Sequence, residues 1–328
     1  MESSLNFVEE LLKIDPDNLD ILLHKANCLY DLEELDEASQ IYDSIISKNP
    51  ENSLALSMRG ALYYKKNDFD SSLNNLNKAL EIDKKNSIAY YQRASILMDQ
   101  NRFKEALKDL NRCLKIDKNN SDAQYNKGRV LRVMGKHKKA LKYVDKAFKN
   151  LEEDSEQYHQ RAIILKNQNN LTGALEDLQT SLELNPQNAG AFYTRAMIFS
   201  RQSNFENALK DLDSAIAIGK AEQKEFFYNG FAEIYKKQGK FELALKYAIK
   251  ATKTNPEFYY AEGTMAEVYF YLNDKDNFFK SLEKAVEKGF NPDQLEEKIR
   301  KEYKRDNKYK DIKKKLLTRG YKQYRTCM

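Results

Sequence analysis

Histidine, cysteine and carboxylate side chains are where catalysis or metal binding would show. His24, His137 and His159 are the three histidines, and no two share a helix face at metal-ligand spacing. Cys28, Cys113 and Cys327 form no CxxC pair, and an odd number of thiols suggests a reducing compartment rather than a disulfide framework. There is no Gly-rich phosphate loop and no GxSxG nucleophile element, and Gly135 and Gly239 read as turn residues. Acidic pairs such as Glu33-Glu34 and Glu152-Glu153 read as solvated charge at turns or helix ends. No catalytic residue, metal or cofactor is expected, and the chain is not read as an enzyme.

A different chemistry recurs. Tyr91, Tyr125, His159 and Tyr193 follow one another at steps of 34, with Gln92, Asn126 and Gln160 beside them. One turn further on stand Ser95, Arg129, Ile163 and Met197, then Arg132 and Lys166. Tyrosine offers apolar area plus a hydroxyl, amides pair with a peptide backbone, and Arg129 and Arg132 favour a carboxylate or phosphate. This is the chemistry of recognition.

A second recurrence is structural. Arg93/Asp109, Arg161/Asp177 and Arg195/Asp211 each place an acid sixteen residues after an arginine, and Arg59 is paired in the same way with Asn75. Where Lys25, Lys127, Phe231 or Met265 replaces the arginine, Ile41, Tyr143, Tyr247 or Ser281 replaces the acid. The joint variation predicts an ion pair that bridges two helices and fixes their packing.

The elements that position these residues have one period. Asn67, Asn101, Gly135, Asn169 and Ser203 are spaced by 34, and after a two-residue slip near Gly219 the step resumes at Gly239 and Asn273. Asn and Gly tolerate the left-handed backbone that ends a helix tightly, so each marks a short turn between helices. Small residues keep step in both helices: Ala26, Gly60, Ala94, Gly128, Ala162, Ala196, Ala232 and Ala266 in the first, and Ala38, Ala106, Ala140, Ala174, Ala208 and Ala244 in the second. Larger apolar residues lie between them at helical spacing, as in Tyr90, Ala94 and Leu97, then Ala106, Leu110 and Cys113. Units end at Asn49-Pro50, Asn185-Pro186, Asn255-Pro256 and Asn291-Pro292, where proline stops the preceding helix.

This 34-residue helix-turn-helix unit, typified by residues 89–120, resembles the tetratricopeptide repeat (TPR) family. The resemblance implies an all-α, right-handed superhelical solenoid of about eight repeats with a C-terminal capping helix. Residues 1–18 read as an N-terminal half-repeat or cap helix. Eight units fill 19–290, starting near Leu19, Ser53, Ser87, Ser121, Ser155, Ala189, Glu225 and Tyr259; the eighth departs from the pattern with Phe278 where alanine is expected. Residues 291–328 form a basic capping helix and tail, in which Leu295, Ile299, Tyr303, Tyr309, Ile312, Leu316 and Leu317 would cover the last repeat.

Charge follows this division. Residues 291–328 hold 13 Lys/Arg and 6 Asp/Glu, a net of +7, and the other 290 residues hold 42 and 44, a net of −2. The near-neutral body argues against nucleic acid as the partner. No run approaches a membrane span, the N-terminus has no basic, apolar leader, and Cys327 is misplaced for prenylation. The chain reads as cytoplasmic, or nucleocytoplasmic.

The resemblance further implies that first helices line an inner groove. There Tyr91, Tyr125, Asn126, Arg129, Arg132, His159, Tyr193 and Met197 would hold an extended peptide or a helix of another protein. Two alternatives are a regulatory subunit clamping an enzyme, and nucleic-acid or membrane association through residues 298–325. Some relatives grip the acidic tails of heat-shock chaperones with a basic-and-Asn clamp. Here those places hold Leu23, Asn27, Met58, Ile88 and Gln92, or, with the frame slid, Tyr91, Ser95, Asn126, Glu156 and Gln160. The missing Lys/Arg argue against that partner.

Overall fold

Each hairpin is built by the same local rules. An Asn precedes most first helices with its Oδ1 accepting the amide of the third helical residue, as Asn52 does from Ala55, Asn86 from Ala89, Asn120 from Ala123 and Asn188 from Ala191. The helix then runs about three and a half turns and stops at a residue with positive φ: 60° at Asn67, 58° at Asn101, 71° at Gly135, 63° at Asn169, 58° at Ser203, 71° at Gly239 and 56° at Asn273. Small residues let the paired helices close. A Cβ on Gly128 would lie 2.4 Å from Cγ2 of Val144, so the fourth hairpin needs glycine there.

The computed structural model describes residues 2–150 and 153–318, in which helices and turns alternate without a strand. Cys327 and the side chains of Leu316 and Leu317 lie outside what is described. The chain divides into two compact units, residues 1–152 and 153–328.

In the first unit α1 (Glu2–Ile14) buries Val8 and packs on the hairpin α2 (Leu19–Asp31)/α3 (Leu35–Lys48). Three more hairpins follow: α4 (Ser53–Lys65)/α5 (Phe69–Ile82), α6 (Ser87–Asp99)/α7 (Phe103–Ile116) and α8 (Ser121–Val133)/α9 (His137–Ala147). The second helices α3, α5 and α7 also pack on the next first helices, α4, α6 and α8, so the core is a row of local clusters rather than one centre. Asn86 ties two hairpins together, because its Nδ2 donates to Ser53 Oγ at 2.8 Å and Ser57 Oγ at 2.9 Å while its Oδ1 caps α6.

The second unit holds α10 (Ser155–Asn167)/α11 (Leu171–Leu184), α12 (Ala189–Arg201)/α13 (Phe205–Ile218), α14 (Lys224–Lys237)/α15 (Phe241–Thr254) and α16 (Tyr259–Tyr271)/α17 (Lys275–Glu287). A single 3-10 turn, Ala221–Gln223, takes up the two residues by which the period slips. After α17 come a second 3-10 turn (Pro292–Gln294), α18 (Glu297–Tyr303) and α19 (Asn307–Thr318). Leu295, Ile299, Tyr309 and Ile312 are buried in one cluster with Phe278, Phe279 and Leu282 of α17. Phe278 is fully buried and stacks on Tyr303, with ring centroids 4.6 Å apart. The bulky residue in place of the expected alanine thus packs both against Phe270 of α16 and against the terminal helices. No helix among the described residues is long and apolar enough to cross a membrane.

Candidate functional site: the grooves lined by first helices

The conspicuous charged residues inside the repeats are braces. Arg93 donates to Asp109 through Nε at 2.7 Å and Nη2 at 2.9 Å, Arg161 to Asp177 at 2.8 and 2.6 Å, and Arg195 to Asp211 at 2.8 Å through both nitrogens. Arg59 Nε donates to Asn75 Oδ1 at 2.8 Å. Sequence reasoning missed the other half of the device. Arg59 also reaches back to Asp43 at 2.5 Å, Arg93 to Asn77 at 2.8 Å and Arg195 to Gln179 at 3.1 Å, each on the second helix of the preceding hairpin. The signal was an oxygen acceptor sixteen residues before as well as after the arginine. Where arginine is absent, Lys127 bonds Tyr143 Oη at 2.8 Å and lies over its ring, and Phe231 stacks on Tyr247 at 4.7 Å.

Cys28 and Cys113 are buried, and burial pushes the Cys113 thiol up to about 12. Of the clamp-like positions, Asn27 alone matched, and its Oδ1 already accepts the hydroxyl of Tyr42 at 2.8 Å.

In the first unit, Tyr91 is half-buried on α6, and Tyr125 and Arg132 are half-buried on α8. Asn126 is buried and accepts a bond from the exposed Arg129 at 3.3 Å. Burial raises the hydroxyls of Tyr91 and of Tyr64, which donates to Asp99 at 2.5 Å, while the nearby charge of Arg129 acts against the rise in both. Tyr64, Tyr91 and Arg129 therefore share one neighbourhood across three first helices.

In the second unit His159 is a packing residue. It is 8% exposed, with Nε2 2.9 Å from Thr194 Oγ1 in the contact of α10 with α12. Tyr193 and Met197 instead line a groove of about 620 Å³ between α12, α14 and α16. Its apolar wall is completed by Phe226, Phe258, Tyr260 and Phe290. Phe226 is 42% exposed and meets Phe258 edge-on at 4.8 Å. Burial, with Glu233 nearby, pushes the Tyr193 hydroxyl up to about 12, so it stays a neutral donor.

Facing the aromatic wall, the groove is lined by polar and charged side chains, several of them already paired. Thr264 donates to Glu233 at 2.8 Å, and Lys237 to Ser200 at 3.1 Å. Asn229 Oδ1 is buried in the groove wall and accepts no hydrogen bond. In the wall itself, Lys236 is buried among three carboxylates that also line the groove: Glu233 at 3.0 Å, Glu296 at 3.2 Å, and Glu267. Burial alone would lower this ammonium, but the carboxylates more than reverse it and keep it charged. Lys236 thereby holds Glu296, and with it the segment after Pro292, across α16. Of the residues lining this groove, Tyr193, Met197 and Lys166 are among those singled out from the sequence. Asn229 takes the next rung after Tyr193 once the two-residue slip is counted, 36 residues on, whereas Phe226 lies off the rungs.

Comparisons with known proteins agree with this architecture. Tetratricopeptide repeat profiles match residues 2–62, 60–98, 87–120, 159–222 and 227–258. No curated protein sequence matches the chain. Among solved structures, the APC/C hetero-tetramer Cut9–Hcn1 aligns with 95% of this chain and 58% of its own at 14% identity and a TM-score of 0.59. The chain thus spans little more than half the length of that relative. Pseudomonas aeruginosa PilF aligns with 66% of this chain and 97% of its own at 19% identity and a TM-score of 0.54. YrrB, described as a TPR protein with an unusual peptide-binding site, aligns at 30% identity over 54% of this chain and 92% of its own, with a TM-score of 0.48. Five profile matches across hairpins of one design show that this chain belongs to the tetratricopeptide repeat family.

Proposed function

We propose that the protein is a non-catalytic interaction scaffold that holds an extended segment of another protein against its first helices. The groove of α12, α14 and α16 is the principal site, and Tyr91, Tyr125, Asn126, Arg129 and Arg132 form a second surface in the first unit. One observation carries the reading: an exposed aromatic, Phe226, stands beside Asn229, whose buried Oδ1 lacks a donor. A buried acceptor without a partner costs about 1–3 kcal/mol, so a guest backbone N–H met by rotation of the Asn229 amide toward the groove recovers that loss on binding. Phe226 and Tyr260 then flank the guest's adjacent side chain. Extended peptides are recognised in this way, by main-chain bonds for affinity and by side-chain pockets for choice.

The test is affinity purification with mass spectrometry, using the full chain and the variant Phe226→Ala with Asn229→Ala. Both side chains lie at the groove surface, so helicity by circular dichroism is expected to stay unchanged. Proteins recovered with the parent and lost with the variant support the site, and an unchanged set of proteins removes it. Tyr125→Ala with Arg129→Ala examines the first-unit surface in the same way.

A further inference from the structure

We infer that the cleft between α18 and α19 is a second binding site, built for a carboxylate-rich stretch of a partner protein. The cleft encloses about 570 Å³. Six cations line it: Arg300, Lys301, Lys304, Lys310, Lys313 and Lys314. Its two acids are already engaged, Asp293 by Lys313 and Glu297 by Lys301 at 2.6 Å. Arg300, Lys304, Lys310 and Lys314 have no carboxylate partner among the described residues. Four like charges thus converge on one concavity, where each raises the cost of the others until an anion enters. Capping the last repeat does not require this, because the buried contacts with α17 come from Leu295, Ile299, Tyr309 and Ile312.

Several observations favour a peptide over other polyanions. Following a nucleic-acid backbone takes a run of about 6–10 phosphate contacts. Here the cleft offers only Arg300, whose Nε also donates to the Leu295 carbonyl at 2.9 Å, and three lysines without a carboxylate partner among the described residues, and the body outside residues 291–328 carries a net charge of −2. A membrane surface would call for apolar side chains beside the lysines, yet no exposed large hydrophobic residue lies between 291 and 314. The cleft also adjoins the aromatic groove. Gln294 and Glu296 line the groove, and Asp293 and Glu297 line the cleft, so one short segment separates the two. A single guest chain can reach both. The cleft's own chemistry does not depend on the groove being occupied.

The experiment uses the full chain with a fluorescent poly-glutamate peptide that lacks any apolar residue, read by anisotropy. Binding is expected at an ionic strength of about 0.01 M and to weaken at about 0.15 M, where the screening length falls from roughly 30 to 8 Å. Lys304→Glu with Lys310→Glu is expected to weaken it by roughly tenfold or more. Lys108→Glu with Arg112→Glu, on exposed α7 positions of the other unit, serves as the control and should leave it unchanged. No binding at low salt overturns the proposal, and so does an equal loss in both variants. Tighter binding of single-stranded RNA or phosphatidylserine vesicles through the same lysines overturns it as well. Because the probe cannot fill the aromatic groove, failure here leaves the groove reading standing, and loss of the groove leaves this one standing.

Discussion

In the hairpin α12/α13 the side chain that reaches from the first helix to the second is Arg195, held by Asp211 and Gln179. In the next hairpin, α14/α15, the corresponding side chain is Phe231, stacked on Tyr247 with ring planes 16° apart. Both pairs are separated by sixteen residues, and both first-helix side chains span the same gap. The difference lies in how each can fail. The arginine bracket is directional, with a charge that stays half-buried if its acid is removed. The aromatic stack is not directional, and its loss leaves a void. A solenoid hairpin therefore specifies the reach across this gap and not the chemistry that fills it.

The largest effect is expected on the aromatic side. Phe231 is 3% exposed and touches both Tyr235 and Tyr247. Phe231→Ala should cost about 3–5 kcal/mol, read by urea denaturation and by lost amide protection in α14 and α15. A cost below about 1 kcal/mol would mean that the neighbouring rings close over the gap and that the stack is not a brace.

Asp211→Ala tests the polar side. Asp211 is 5% exposed, and its removal strands a guanidinium whose side chain is 19% exposed. The expected loss is about 3 kcal/mol, at the lower end of the range for breaking a buried pair because water reaches the arginine. The comparison becomes sharp in the double replacement Arg195→Phe with Asp211→Tyr, which copies the next hairpin. If the gap accepts either chemistry, the double variant is more stable than Asp211→Ala alone. If it is less stable, the brackets to Gln179 and Asp211 fix the packing of neighbouring hairpins in a way that stacking cannot replace.

These braces also show what a sequence reveals. Eight copies of one unit act as internal replicates, so the joint variation of positions sixteen apart exposed the Arg–Asp contacts without coordinates. The turns were legible for the same reason, since Asn and Gly recur where φ is positive. The groove was legible only in part. Tyr193 and Met197 keep step with the ladder and line it, whereas His159 keeps step and is buried against Thr194. Position in the period fixes the helix face to within a turn, but whether a side chain lies on the surface or in the next hairpin depends on inter-hairpin packing. Asn229 continues the ladder only when the two-residue slip is counted, and Glu296 comes from a non-repeating segment, where no replicate exists to read against.

Alkaline pH examines the seam between the same two hairpins. Tyr193 of α12 packs on Phe227 of α14, with centroids 5.7 Å apart, and its hydroxyl is pushed up to about 12 by burial. An unfolded tyrosine ionises near pH 10. The folded state keeps its proton longer, so this contribution is fully present below pH 10 and is lost as pH rises from 10 to about 12. Tyr193→Phe should flatten the fall in stability across that window. An unchanged slope, measured by urea denaturation at pH 9, 10 and 11, would place the loss in other groups, Tyr271 among them, since its hydroxyl is also pushed up to about 12.

The smallest effect is at the turns, where the comparison is between copies of one position. Glu33 has a φ of 68° and Asn67 a φ of 60°, each ending the first helix of its hairpin. A left-handed conformation costs an ordinary side chain about 1–2 kcal/mol, less for asparagine and little for glycine. Lys65 lies 3.4 Å from the Glu33 carboxylate, but this exposed pair returns only a few tenths of a kcal/mol. Glu33→Gly should therefore stabilise the first hairpin by about 1 kcal/mol, part of the gain being offset by the freedom of glycine in the unfolded chain. The reverse exchange isolates the backbone. A Cβ on Gly239 would meet nothing within 4 Å, and φ there is 71°, so Gly239→Ala should cost about 1 kcal/mol from the left-handed backbone alone. If Glu33→Gly is destabilising while Gly239→Ala behaves as described, then the Lys65 contact and the glutamate stem, rather than the backbone, set the energy of the first turn.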